Sequence, residues 1–177
     1  APYGGREKIL DTNPISMGFP NPEEPDQRPV LLDYATTFRA QGALYLAQLR
    51  GQELPPGFVI DRDGNPSTDP NELDNGGAML PFGTYKGYAL MMAVEYLARI
   101  CSGSDDHIEA KHGSDMFRHQ GVTMIVFKAD LLRSMEEYAQ SAREMSRTAR
   151  AVAPAPGFDA VRMPGDPEAD ARAERLQ

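Results

Sequence analysis

Apolar positions in this chain fall first into short continuous runs divided by proline- and glycine-rich polar stretches, and only later settle into helical spacing. Ile15 to Phe19 is short and apolar enough for a strand, and the stretch from Pro20 to Pro29 that follows reads as an exposed connection. Val30-Leu31-Leu32 predicts a buried strand, because its run is continuous, the pattern of a sheet covered by helices on both faces. Asp33 ends that run where a helix N-cap would stand. Ala35 to Arg50 then predicts a helix, with Gly51 just past its end. Between Leu54 and Pro70 turn formers dominate, and only Phe58-Val59-Ile60 reads as a short strand.

From Lys86 to Cys101 the residues Leu90, Met91, Val94, Leu97 and Cys101 recur at helical spacing, which predicts a buried helix opening beside Gly83 and Gly87. Val122 to Phe127 predicts a strand. Asp130 stands ahead of a long helix whose stripe is Leu131, Met135, Tyr138, Ala142, Met145 and Ala149, leaving an Arg/Glu face to solvent. Pro154 to Gly157 breaks it, Ala160 to Met163 reads as a short strand, and Pro164-Gly165-Asp166-Pro167 turns into a charged terminal helix. Strands and helices thus follow one another as in an α/β domain.

At 177 residues and 41% apolar composition the chain has the material for one domain with a real core. A formal charge of −8 and the absence of a basic run argue against a nucleic-acid partner, since that affinity rests on Lys and Arg neutralising phosphates. The single cysteine, Cys101, rules out an internal disulfide and, placed in an apolar helical pattern, reads as a packed thiol suited to the cytoplasm. No stretch approaches the roughly 20 apolar residues that cross a bilayer, and no secretory signal opens the chain, so no membrane partner is expected. Pro2-Tyr3-Gly4-Gly5 reads as the inside of a turn, and Gln177 falls inside the terminal helix. A fragment of something longer is the expectation.

Several turns precede helices, where free N–H groups and the positive end of the dipole favour an anion. Neither G-x-G-x-x-G after a strand nor G-x-x-x-x-G-K-[ST] is present, so the common phosphate fingerprints are missing. Lys86, in Pro81-Phe82-Gly83-Thr84-Tyr85-Lys86-Gly87-Tyr88, puts an ammonium at a helix start, where the dipole disfavours a cation and an anion would compensate it; a solvated loop lysine is the other reading. Asp33, at the carboxyl end of a strand, has the place of an acid that accepts hydrogen bonds from a ribose diol, or of a plain N-cap. His107, His112 and His119 lie in an irregular segment with no H-x-x-x-H pair and no cysteine companion, and no metal site is expected. Asp61, Asp63 and Asn65 alternate like the start of a calcium loop, but Gly64 comes too early, which leaves a turn.

Taken in order, Pro2-Tyr3-Gly4-Gly5, Thr12-Asn13-Pro14, Leu32-Asp33-Tyr34-Ala35-Thr36-Thr37, Asp61 to Pro70, Pro81-Phe82-Gly83 with Lys86-Gly87-Tyr88, and Pro164-Gly165 resemble the second half of the type-2 malate/L-lactate dehydrogenases. That group includes ureidoglycolate and sulfolactate dehydrogenases and piperideine-2-carboxylate reductases. The resemblance implies an α/β fold of the sulfolactate-dehydrogenase type, a mixed sheet flanked by helices and not a standard Rossmann fold, working as a homodimer. It implies an NAD(P)-binding domain over residues 1–150, with 151–177 returning to the cofactor cleft and starting a terminal helix.

By position, the resemblance places Asp33, Tyr34 and Ala35 along the adenosine end of NAD or NADP, Lys86 at its phosphates or ribose, and Gly165-Asp166-Pro167 closing over it. Thr12, with Asn13 and Pro14, falls near the cofactor and substrate cleft. The implied reaction is hydride transfer between a small 2-hydroxy acid and its 2-oxo acid, with reduction of a cyclic imino acid as the alternative within the family. A noncatalytic fragment or subunit is a further alternative. The catalytic histidine of such relatives lies ahead of this region, so the base is expected before Ala1, on the same polypeptide or on a separate chain carrying the N-terminal half. Asp33 leans toward NAD because its charge repels a 2′-phosphate unless an arginine such as Arg39 offsets it. Asp11 stands where the family usually has glycine, and the stretch from His107 to His119 is expected to shape the substrate side.

Overall fold

Residues 1–22, 28–104 and 121–176 are described by the computed structural model, and their contacts gather into two units, each made from two stretches of chain. The first comprises Ala1–Ile15 with Tyr34–Met124, the second Ser16–Asp33 with Ile125–Gln177. His107, His112 and His119 lie outside the described residues. Among the described residues no helix is long and apolar enough to cross a membrane.

Strands β1 (Ile15–Phe19) and β2 (Val30–Tyr34) pair in a two-stranded sheet, both where the apolar runs predict them. The burial expected of β2 is not met: Val30, Leu31 and Leu32 are half-buried and Asp33 and Tyr34 exposed. A two-strand sheet has neither the neighbours nor the covering helices to enclose them.

In the first unit β3 (Val59–Ile60) is the middle strand of a sheet ordered β4-β3-β5, with β4 (Pro66–Ser67) and β5 (Ala78–Met79) both antiparallel to it. Helix α1 (Gln41–Arg50) lays Leu44 and Ala47 on this sheet, against Leu54, Phe58, Val59 and Met79. Its end matches the pattern, since Gly51 takes the left-handed conformation at φ 61 and donates its N–H to Gln48 O. Its start does not. Asp33 is no N-cap; the helix begins at Gln41, behind Ala40, without a side-chain cap. Residues 35–40 form an irregular, bent connection instead, with Thr36 N–H donating to Thr12 O, Phe38 N–H to Leu80 O, and Thr37 bridging Pro81. Two adjacent β-branched threonines disfavour a helical turn there.

Helix α2 (Tyr85–Glu95) continues into a π-helical turn, Tyr96–Ile100. Met91 is buried and Leu90 and Val94 half-buried as expected, but Leu97 and Cys101 are exposed. The wider π turn carries those positions off the stripe that a 3.6-residue period projects, so Cys101 is not the packed thiol its spacing suggests.

Two helices belong to the second unit, α3 (Met135–Arg150) and α4 (Asp166–Arg175). Ser134, not Asp130, caps α3, through a reciprocal capping box with Glu137. Asp130 pairs with Lys128. The buried face is Ala139 and Ser146 flanked by Tyr138, Ala142 and Ala149, whereas Leu131, Met135 and Met145 are exposed. Polar contacts turn the helix this way: Asn21 Nδ2 donates to Ser146 Oγ at 3.0 Å and Tyr138 Oη to Pro20 O at 2.8 Å. Neither Val122–Phe127 nor Ala160–Met163 pairs as a strand among the described residues, because no neighbouring strand lies beside either one.

Candidate functional site

The loop Thr12-Asn13-Pro14 in the first unit is clamped from two sides. Thr36 is fully buried; its N–H donates to Thr12 O at 2.8 Å, and its hydroxyl reaches both Thr12 O and Asn13 O at 2.9 Å. From the other side Asn13 Nδ2 donates to Met91 O at 3.2 Å and to Glu95 Oε2 at 2.7 Å. Glu95 is in turn bridged to Arg99 at 2.8 Å. Asn13 itself sits at φ 41, a conformation that asparagine tolerates better than most residues. A buried hydroxyl thus sets the direction of two backbone carbonyls, and a half-buried carboxylate anchors the Asn13 side chain.

Beside this loop α2 begins at a strained turn. Gly83 and Thr84 both have positive φ, 55 and 58, and a β-branched residue in that region costs of order 1–3 kcal/mol. Gly87 must be glycine, since a Cβ there would stand 1.8 Å from Phe82 O. The turn presents Lys86, exposed, on the first turn of α2, with its ammonium 6.0 Å from the Tyr85 ring and no carboxylate partner among the described residues. An unpaired cation at the positive end of a helix is a receptor for an anion. Tyr34 packs edge-on against Phe82 at 5.6 Å, and Ala35 is half-buried beside it in sequence.

Asp33, Gly165, Asp166 and Pro167 belong to the second unit. The Asp33 carboxylate is exposed and has no side-chain partner among the described residues, so its oxygens are open to hydroxyl donors. Gly165 is the N-cap of α4 at φ 99, and it lies so close to β2 that a Cβ would meet Leu31 N and Pro29 O at 3.3 Å. Leu31 N–H donates to Pro164 O, tying the turn to that strand. Pro167 follows in the first turn of α4, where its missing N–H costs nothing.

Asp166 is otherwise engaged. Its carboxylate accepts from Met163 N–H at 2.8 Å and from Arg150 at 3.0 and 3.2 Å, so it closes its own turn and fastens it to the end of α3. Partial burial opposes its charge, but the Met163 and Arg150 hydrogen bonds and the charges of Arg150 and Arg162 outweigh this and hold the carboxyl below the usual range.

Residue patterns did not point to Thr36 and Glu95, the two side chains that hold the Thr12-Asn13 loop. Glu95 left a readable trace, the one acid of its helix, four residues after Met91. Thr36 stood in the motif Leu32 to Thr37 without a role of its own, because a buried threonine and a surface one look alike in sequence. Among the described residues, which do not include His107, His112 and His119, no group of three or more His, Cys, Asp or Glu side chains converges.

Comparison with known proteins extends this local picture. A family model described as malate/L-lactate dehydrogenase matches residues 1–177. A Delta(1)-pyrroline-2-carboxylate/Delta(1)-piperideine-2-carboxylate reductase of Pseudomonas putida is 36% identical over 168 residues, which cover 93% of this chain and 46% of that protein. A Delta(1)-pyrroline-2-carboxylate reductase of Agrobacterium fabrum is 44% identical over 103 residues, 58% of this chain and 29% of that protein. Among solved structures, sulfolactate dehydrogenase from Methanocaldococcus jannaschii superposes with a TM-score of 0.79 at 30% identity, over 99% of this chain and 49% of that one. The fold is therefore of the sulfolactate-dehydrogenase type. The chain spans about half the length of the curated relatives that it matches along most of its own length.

Proposed function

The chain belongs to the malate/L-lactate dehydrogenase family, and from that premise we propose that it carries the nicotinamide-cofactor part of an NAD(P)-dependent oxidoreductase acting at the carbon next to a carboxylate. The observation that carries this reading is the family match along the whole chain, from residue 1 to residue 177. The relatives' names fit one chemistry. A 2-oxo acid and a cyclic 2-imino acid both present an electrophilic carbon beside a carboxylate, and differ in whether oxygen or nitrogen takes the proton.

When bound, the nicotinamide supplies or accepts the hydride. The residues of this chain bind and orient. Lys86 offers an unpaired ammonium to the cofactor's phosphates, and the strained Gly83-Thr84 turn fixes where that ammonium stands. Tyr34 and Ala35 line the adenosine moiety, and Asp33 accepts hydrogen bonds from a ribose diol. Its charge favours NAD over NADP, since Arg39, six residues on, is already stacked over the Phe58 ring at 5.5 Å. Gly165 and Pro167 let the α4 turn approach the cofactor closely, while Asp166 positions that turn through Arg150 and Met163. Thr12, held by Thr36, turns its loop toward the cofactor and substrate. The base that takes the substrate proton comes from the part of the relatives that this chain does not span. A homodimer in the cytoplasm completes the reading.

A second reading, reduction of a cyclic imino acid, is supported by the 44% identity over 103 residues to the pyrroline-2-carboxylate reductase. The test is titration with NADH and NADPH by fluorescence, followed by turnover of oxaloacetate, pyruvate and Δ1-piperideine-2-carboxylate. Lys86→Ala is expected to weaken nucleotide binding by roughly tenfold, the loss of one charge-assisted contact. Absence of nucleotide binding by the unmodified protein would overturn the assignment.

A further inference from the structure

We propose that Glu95 is a positioning residue of the cofactor and substrate cleft, acting through the Asn13 side chain to set the Thr12-Asn13 loop against the helix that presents Lys86. This rests on the assignment of a nicotinamide cofactor to the chain, and it gives a role to a side chain that touches neither nucleotide nor substrate. Asn13 holds α2 at two points one turn apart, with Nδ2 donating to Met91 O at 3.2 Å and to Glu95 Oε2 at 2.7 Å. Both amide hydrogens are thereby used. The other carboxylate oxygen, Oε1, lies 2.8 Å from Arg99 Nε, in the π turn that follows. Glu95 therefore meets a donor on each oxygen, and a side chain with two acceptors is what fits between them.

Stability alone is a poor reason for an acid at this place. The Glu95 side chain is only 12% exposed, and replacing a desolvated ion pair by apolar side chains of similar size is often neutral or stabilising. What such a pair contributes is a defined orientation. The loop it orients is strained: Asn13 sits at φ 41, and the carbonyls of Thr12 and Asn13 are both held by the hydroxyl of the fully buried Thr36. Strained backbone persists only where its surroundings over-determine it, and it gathers at ligand sites. Directly after Glu95 comes a π turn, another feature that gathers at functional sites. Lys86 and Glu95 stand on one helix, so α2 separates them by nine residues, a rise of about 14 Å. The helix is a strut, with the ammonium at one end and the anchor of the loop at the other, and every contact in this chain of support lies within the first unit.

Fluorescence titration with NADH, on the protein made from its native locus and on its Glu95→Gln, Asn13→Ala and doubly substituted variants, tests the proposal. Gln keeps the size of Glu but offers one acceptor instead of two. Arg99 takes that acceptor through the stronger, charge-assisted bond, and the amide nitrogen is left facing Asn13 Nδ2, donor against donor. Glu95→Gln is expected to weaken NADH binding about fivefold, and the double variant to bind no more weakly than Asn13→Ala, because the effect travels through Asn13. In turnover Glu95→Gln should raise the KM for Δ1-piperideine-2-carboxylate or pyruvate with kcat within about twofold, since the loop orients bound partners and takes no proton itself. A lowered thermal midpoint with unchanged NADH affinity would mark Glu95 as merely structural and overturn the proposal, as would the same fivefold loss in the Asn13→Ala background. If Glu95→Gln fails to fold, Asn13→Ala decides: affinity equal to that of the unmodified protein overturns the proposal, and weakened affinity supports it. NADH binding that Glu95→Gln leaves intact sinks the role of Glu95 and spares the cofactor assignment, whereas no binding by the unmodified protein sinks both.

Discussion

Gly87 and Thr36 show how much a single position can carry in this fold. An added Cβ at 87 collides with a backbone carbonyl, which cannot swing away as a flexible side chain could. Gly87→Ala should therefore destabilise the protein by about 1–3 kcal/mol, read as a lower urea midpoint at unchanged slope. An unshifted midpoint would mean that the Phe82 turn yields. Thr36→Val keeps the shape but removes a buried hydroxyl that serves two carbonyls, so it should cost about 1–3 kcal/mol. The same change should weaken NADH binding, because the Thr12-Asn13 loop loses its clamp. Equal nucleotide affinity in the variant would restrict Thr36 to stability. Lys86 and Asp33 were legible as candidates because a charge beside a turn stands out in a string of letters. Thr36 was not, because its importance lies in which carbonyls surround it.

Helix ends separate local signals that decided structure from those that lost. For α3 the Ser134-x-x-Glu137 box determines the start, and the earlier Asp130 does not. Ser134→Ala should cost about 1 kcal/mol of stability, while Asp130→Ala should leave the thermal midpoint within error. A reversal of those two results would restore Asp130 as the cap. For α1 the strand-ending Asp33 suggested a cap, but the backbone of 36–38 found partners at Thr12 and Leu80 and stayed out of the helix. For α2 the apolar period is correct up to Glu95 and then drifts, since a π turn is invisible to a pattern that assumes 3.6 residues per turn. Strands fared similarly. Val59–Ile60 formed where its apolar run predicts, but its partners β4 and β5, two residues each, were too short to stand out.

At the scale of the molecule, acid is the simplest global probe. Asp61, Glu137 and Asp166 all hold their protons less tightly than usual. For Asp61 the causes are the Asn65 side-chain and backbone hydrogen bonds, and for Glu137 those from Ser134. For Asp166 partial burial works the other way and is overcome by Met163, Arg150 and Arg162. A carboxylate depressed in the folded state adds stability that is full above its unfolded value, near 4, and is lost as pH falls through the lower folded value. Thermal midpoints should thus be flat from neutrality to about pH 5 and drop below about pH 4, with a shallower drop in Asp166→Asn. An unchanged acid limb in that variant would show that the bond from α3 to the α4 turn contributes little.

Local chemistry alone determined that this is an α/β chain, where most of its elements lie, that its turns at Gly51 and Gly165 end and open helices, and that its motifs run in the order of one dehydrogenase family. Those features depend on neighbours a few residues away, and the sequence lists such neighbours directly. Tertiary structure decided the rest: that Thr36 and Glu95 hold the Thr12-Asn13 loop, that Asp166 serves Arg150, that Ala139 and Ser146 face inward on α3, and that Val122–Phe127 goes unpaired among the described residues. Each of these turns on contact between residues far apart in the chain, and a strand-forming sequence becomes a strand only when another strand lies beside it.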